Sequence, residues 1–144
     1  MRPRLAATCV TLALSVALLA AAGCGGSGSD TRTLDGTAWR VTGWTLSSLD
    51  PNAFTITAAF SDGKISGNSA VNTYSGPYTE GPGDAFSVGD LASTEMAGPE
   101  PNMRAESAYL TLLSQAKSYK LDGGGLTLFD QNGSESLIFK AAAP

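Results

Sequence analysis

The chain has 144 residues, 42% hydrophobic and 15% charged, with no histidine and only two cysteines, Cys9 and Cys24. That length fits one domain with a leader or tail, and the missing imidazole excludes a Ser-His-Asp triad, a Cys-His pair and an HExxH zinc site. A net charge of −4 with scattered basic residues provides no basic patch of the kind nucleic acid requires.

Residues 1–23 read as a tripartite export signal: basic Arg2 and Arg4, an apolar run from about Leu5 to Ala22, and small residues before Cys24. The stretch Leu19-Ala20-Ala21-Ala22-Gly23-Cys24 resembles a bacterial lipoprotein signal, although Ala21 stands where Leu is usual. Such signals are cut just before the cysteine, whose thiol then receives a diacylglyceryl group. On that reading Cys24 is the lipidation site and the leader takes Cys9 with it. What remains has seven basic and thirteen acidic residues, net −6, and is held on the extracytoplasmic face of a bacterial membrane. An uncleaved anchor helix and a plain secretory signal are the alternatives. Residues 24–32 form the lipidated cysteine and a Gly/Ser tether with no side chains to build a core. The folded domain is expected over 33–141, with 142–144 as a tail. After Cys24 no thiol nucleophile, disulfide or thiolate metal site is available.

From Thr37 onward the pattern is strand and turn. Trp39 and Val41 alternate with Arg40 and Thr42, and Phe54, Ile56, Ala58 and Phe60 make a second period-two set. Asp62-Gly63 supplies a tight hairpin turn into Lys64-Ile65-Ser66-Gly67. Tyr74 and Tyr78 flank Gly76-Pro77, read as a loop, and Gly81-Pro82-Gly83 turns the chain before Phe86 and Val88. Tyr119/Leu121, Leu126/Leu128 and Leu137/Phe139 close the chain, joined by turns at Asp122–Gly125 and Asn132-Gly133. The expected fold is mainly β (α+β): an antiparallel meander or barrel with one amphipathic helix packed on it.

That helix is expected over Asn102–Lys117, with Asn102 as its cap. At 100° per residue Met103, Ala105, Tyr109, Leu110, Leu112, Leu113 and Ala116 share one half of the wheel. Glu106 falls inside that apolar half, where an unpartnered carboxylate costs several kcal/mol. Either it accepts backbone N–H groups or pairs with an Arg, or it lines a cavity with a shifted pKa.

The same residues carry a family resemblance. Leu34-Asp35-Gly36-Thr37-Ala38-Trp39 resembles the Leu-x-Gly-Thr-x-Trp opening of the META (HslJ-like) domain. Gly67–Gly76 resembles its central G-x-x-G-C-N-x-Y-x-G motif, and Thr94–Pro99 its T-x-M-A-C-P. Met103-Arg104-Ala105-Glu106 with Tyr109-Leu110 and Leu113 matches its helix, and Tyr119-Lys120-Leu121 and Leu126-Thr127-Leu128 match its closing strands. Ala70 replaces a Gly, and Val71 and Gly98 stand where the family often has Cys. Losing both thiols together is what two facing, ordinarily paired positions would produce. The resemblance implies a barrel-like sheet with one helix in an envelope protein, in a family some of whose members are linked to stress responses. It assigns no catalysis, so Asn72, Tyr74, Met103 and Glu106 are candidate ligand or structural residues.

The functional expectation is a monomeric, non-catalytic binding or accessory protein without cofactor or metal. Its partner is an envelope protein docked on an exposed strand edge or on the Tyr74–Tyr78 loop, or a small apolar ligand held in the barrel mouth beside Glu106. A two-carboxylate hydrolase joining Glu106 to Asp62, Glu95 or Glu100 is the remaining enzyme class. Asp130–Glu135 lacks the twelve-residue ligand spacing of a calcium loop, and Gly123-Gly124-Gly125 is a turn with no phosphate-loop Lys-Ser/Thr after it.

Overall fold

The computed structural model describes residues 33–143; the leader, Cys24 and the tether lie outside the described residues. In chain order the elements are β1 (Thr37–Trp44), a 3-10 turn (Pro51–Ala53), β2 (Thr57–Ser61), β3 (Lys64–Asn68), β4 (Thr73–Gly81), β5 (Ala85–Val88) and β6 (Ala92–Ser93). The helix α1 (Glu100–Gln115) follows, then β7 (Ser118–Asp122), β8 (Gly125–Phe129) and β9 (Glu135–Ala141). Eight strands run in the order β3-β2-β1-β9-β8-β7-β5-β4, and pairing of β3 with β4 closes them into an antiparallel barrel. The mainly β fold with one helix is as the sequence led us to expect.

Local chemistry explains the corners. Asp62 (φ 52°) and Gly63 (φ 72°) turn β2 into β3 with both central residues at positive φ, the geometry a two-residue hairpin needs. Barrel closure is lopsided at β5–β7. There the ladder holds one residue pair, Ala85 with Ser118, flanked by Phe86 N–H to Lys117 O and Tyr119 N–H to Asp84 O, both 2.9 Å.

Inward side chains fill the interior, as they do in small barrels. Phe60 on β2 packs edge-on against Tyr78 on β4, ring centroids 4.9 Å apart, and also meets Phe86 on β5 at 6.2 Å. Tyr109 of α1 touches both Tyr74 on β4 (5.5 Å) and Phe139 on β9 (6.5 Å). Those two strands lie opposite each other in the ring of eight, so the Tyr109 ring enters the barrel and bridges it. Thr33 and Leu34 are anchored to Glu80, whose carboxylate accepts from the Thr33 hydroxyl (2.7 Å) and Leu34 N–H (2.8 Å).

Two sequence expectations need correction. Tyr74–Tyr78 is not a loop: it lies within the nine-residue strand β4, and both tyrosines point into the core. Tyr78 pairs with Val88, Gly89 N–H donates to Pro77 O (2.9 Å), and Ser75 pairs with Ala92, so Asp90 and Leu91 both oppose Gly76. That extra residue is a β-bulge. A Cβ on Gly76 would sit 2.7 Å from Asp90 O and 2.8 Å from Leu91 Cδ2, so glycine serves close approach here rather than a turn. The second correction concerns α1, which starts at Glu100 and not at Asn102. Pro101 fits the first turn, where its missing N–H would have no intrahelical partner anyway. Asn102 instead donates its side-chain amide to Ala70 O at 3.4 Å. The helix stops at Gln115 because Ala116 turns to extended backbone (ψ 137°) and leads into β7.

Candidate functional site

The turn between β3 and β4 and the inner face of α1 build a single polar cluster. Ala70 takes φ +89°, the position where the resemblance places Gly, and its N–H is held by Asn68 Oδ1 (2.9 Å) and Thr55 O (3.2 Å). This conformation aims the next two backbone N–H groups, those of Val71 and Asn72, at Glu106.

Glu106 is 8% exposed and surrounded by donors. Its Oε2 accepts from Ser69 Oγ at 2.6 Å and Asn72 N–H at 2.8 Å, and its Oε1 accepts from Asn72 Nδ2 at 2.9 Å. Burial alone pushes the Glu106 pKa up. The side-chain donors of Ser69 and Asn72, with the N–H groups of Asn72 and Val71, together outweigh burial and hold it below the ordinary carboxylate value. Glu106 is therefore an ionised carboxylate fixed in place by hydrogen bonds.

Asn72 uses every hydrogen-bonding group it has. Nδ2 donates to Glu106 Oε1 and to Met96 O (3.2 Å), while Oδ1 accepts from Thr94 Oγ1 and Met96 N–H, both at 2.8 Å. Toward Met96 the carboxamide behaves as one more peptide group of β4, bonding both the N–H and the C=O of the residue opposite. Asn72 O also accepts from the N–H (2.8 Å) and the hydroxyl (2.9 Å) of Ser69. The cluster therefore ties the β3–β4 turn, α1 and the segment after β6 to one another.

The remaining candidates fall elsewhere. Tyr74 donates its hydroxyl to Thr57 O (2.9 Å) and receives that of Tyr109 (2.5 Å); burial raises the pKa of both phenols. Met103 is half-buried on α1, outside the cluster. Asp62 sits in the β2–β3 turn, at the far end of β3 from Ser69. Glu95 and Glu100 are exposed, and Glu100 faces Arg104 at 3.9 Å. None of these three carboxylates is among the groups that hold Glu106, which are those of Ser69, Val71 and Asn72. Ser69 and Thr94, essential to the cluster, went unread in the sequence because their roles depend on contacts far along the chain. Surface hollows lie apart from the cluster: one of about 340 Å³ is lined by Trp39, Leu121 and Gly123–Gly125, and a polar one of about 400 Å³ by Ser114, Lys117 and Asp130.

The sequence pattern of the META domain matches residues 32–143. The chain belongs to the META domain family. A solution structure of a protein from Burkholderia xenovorans resembles this META domain with a TM-score of 0.63 and 26% identity, covering 77% of this chain and 85% of that one. A second solution structure shares the fold at a TM-score of 0.58 and 19% identity, over 74% of this chain and 90% of the other. A DUF4847 family protein from Bacteroides vulgatus also aligns, at a TM-score of 0.45 and 17% identity, over 59% of this chain and 57% of its own. No curated protein matches. In this META domain Val71 and Gly98 do face each other: a Cβ on Gly98 would lie 3.5 Å from that of Val71.

The Glu106 cluster makes stability depend on pH with a defined sign. Because its pKa is lowered in the folded state, the stabilisation from Glu106 is complete above the ordinary value of 4.5 and is lost as pH falls below it. Glu106→Gln should flatten that acid limb in urea titrations. It should also cost about 2 kcal/mol at neutral pH, because an NH₂ group would then face one of the donors. An acid limb as steep as that of the unaltered protein would place the titrating carboxylate elsewhere.

Proposed function

We propose that this META domain is a lipid-anchored, extracytoplasmic accessory protein of the bacterial cell envelope, non-catalytic, acting by binding through its outer surface. The observation that carries the reading is the state of the interior: aromatic rings bridge the barrel, and Glu106 spends its acceptors on Ser69, Val71 and Asn72. A carrier would need that interior open, and a hydrolase would need that carboxylate free to reach a substrate. The leader ending at Cys24 supports the anchor. Among the described residues no helix is long and apolar enough to cross a membrane.

Cys24→Ser should move the protein from the membrane fraction to the soluble fraction and abolish incorporation of radiolabelled fatty acid. Retention in the membrane would favour an uncleaved leader. Native mass spectrometry should give the mass of the lipidated chain alone. A discrete added mass that disappears on mild denaturation would replace this reading with that of a carrier.

A further inference from the structure

Among the described residues β6 hydrogen-bonds to β4 and to no other strand. Bonded and non-bonded pairs alternate along an antiparallel ladder, so the register fixes which backbone groups face outward. Tyr74 pairs with Ser93, Ser75 with Ala92, and Thr94 N–H donates to Thr73 O at 3.1 Å. Ala92 and Thr94 therefore turn their N–H groups toward β4, and Met96 turns its own toward the Asn72 carboxamide. Ser93 and Glu95 point theirs away, and among the described residues neither N–H finds a partner. The result is a short strand edge held firmly from behind by the Asn72–Glu106 cluster.

The surroundings favour one kind of occupant. Met96 is 57% exposed, and residues Ala92–Ala97 are all exposed, Thr94 turning only its hydroxyl in toward Asn72. Asp90 and Glu95 flank the edge, both exposed, and neither has an ion-pair partner among the described residues. We propose that the Ala92–Met96 edge receives an extended segment of a partner protein by strand addition, that segment carrying a basic side chain against Glu95 and an apolar one over Met96. This rests on the reading of a binding module and names its surface.

The test is amide hydrogen exchange by NMR on the full chain in detergent micelles, with a synthetic peptide of about nine residues alternating Lys and Val as the probe. The peptide should slow exchange at Ser93 and Glu95 by about tenfold or more and leave the already paired Ala92 and Thr94 unchanged. Ser93→Pro removes an N–H that the fold does not use. It should abolish the effect while Ala92 and Thr94 stay protected. Glu95→Lys, a surface change, should weaken the peptide by about tenfold at low salt. Slowing that does not alternate, or that occurs elsewhere, overturns the proposal. So does slowing without peptide that grows with protein concentration, which would make a second copy the occupant. In native membranes, photo-cross-linkers at Leu46 or Ile138, the other exposed large hydrophobic residues among the described residues, that capture a protein while one at Glu95 captures none would overturn the edge and leave the binding module standing. Silence at all three would count against both.

Discussion

Asn72→Ala is expected to lower the stability of the domain by about 3–4 kcal/mol, a fall of roughly 15 °C in Tm. Truncation leaves Glu106 Oε1, the N–H and C=O of Met96 and the Thr94 hydroxyl without the partner that binds them. Removing one partner of a buried polar group costs its full desolvation, and here a single side chain serves the buried Glu106 Oε1 and three part-buried groups besides. The damage should also be uneven. Amides of Thr94 and Met96 should exchange as freely as those of a loop, while Leu126 and Leu128, in the β8 ladder, keep their protection. Thermal melts and exchange rates check both parts. A loss under about 1 kcal/mol would mean that water replaces the carboxamide, and that the segment after β6 is held by other contacts.

The second large effect has the opposite sign. With Val71→Cys and Gly98→Cys together, the two Cβ atoms start 3.5 Å apart, at the short end of the ordinary disulfide range. Closing the loop between positions 71 and 98 should add roughly 3 kcal/mol and raise Tm by about 12 °C, an increment that reductant abolishes. Gly98→Ala alone should do the reverse. Its Cβ would meet the Val71 methyl carbons at 2.8 and 2.9 Å, and such overpacking costs about 1–3 kcal/mol. This chain thus fills the space of the missing sulfurs with a valine on one side and nothing on the other. A double variant that oxidises without gaining stability would show that the native backbone does not fit the bond.

How far the sequence could be read depended on how local the cause was. Trp39 with Val41, and Ile56, Ala58 and Phe60, alternate as strands one face deep in a core, and all five are buried. The apolar half of α1 placed Ala105, Tyr109, Leu112 and Leu113 correctly, and it singled out Glu106 as needing partners. The partners themselves were not legible, because Ser69 lies 37 positions and Asn72 lies 34 positions from Glu106. Gly76-Pro77 misled for a different reason. The same dipeptide that makes turns is also tolerated in a strand where a bulge crowds the glycine and the partner strand is ending at the proline. Likewise no local rule reveals that an asparagine side chain will stand in for a peptide group. The Asn72–Met96 pairing appears only once the strands are in place.

β9 has a consequence for how the molecule is made. It lies between β1 and β8, and Trp39 pairs with Ala141 and Val41 with Phe139 across about a hundred residues of chain. Contacts so distant in sequence raise the contact order and slow folding. Until residues 135–141 have been synthesised, β1 and β8 each offer a raw edge, the kind of surface that recruits other chains. A fragment truncated before Glu135 should therefore aggregate rather than fold to a smaller sheet. The barrel cannot close before β9 is made, and the last of its strands is the one that conceals the first.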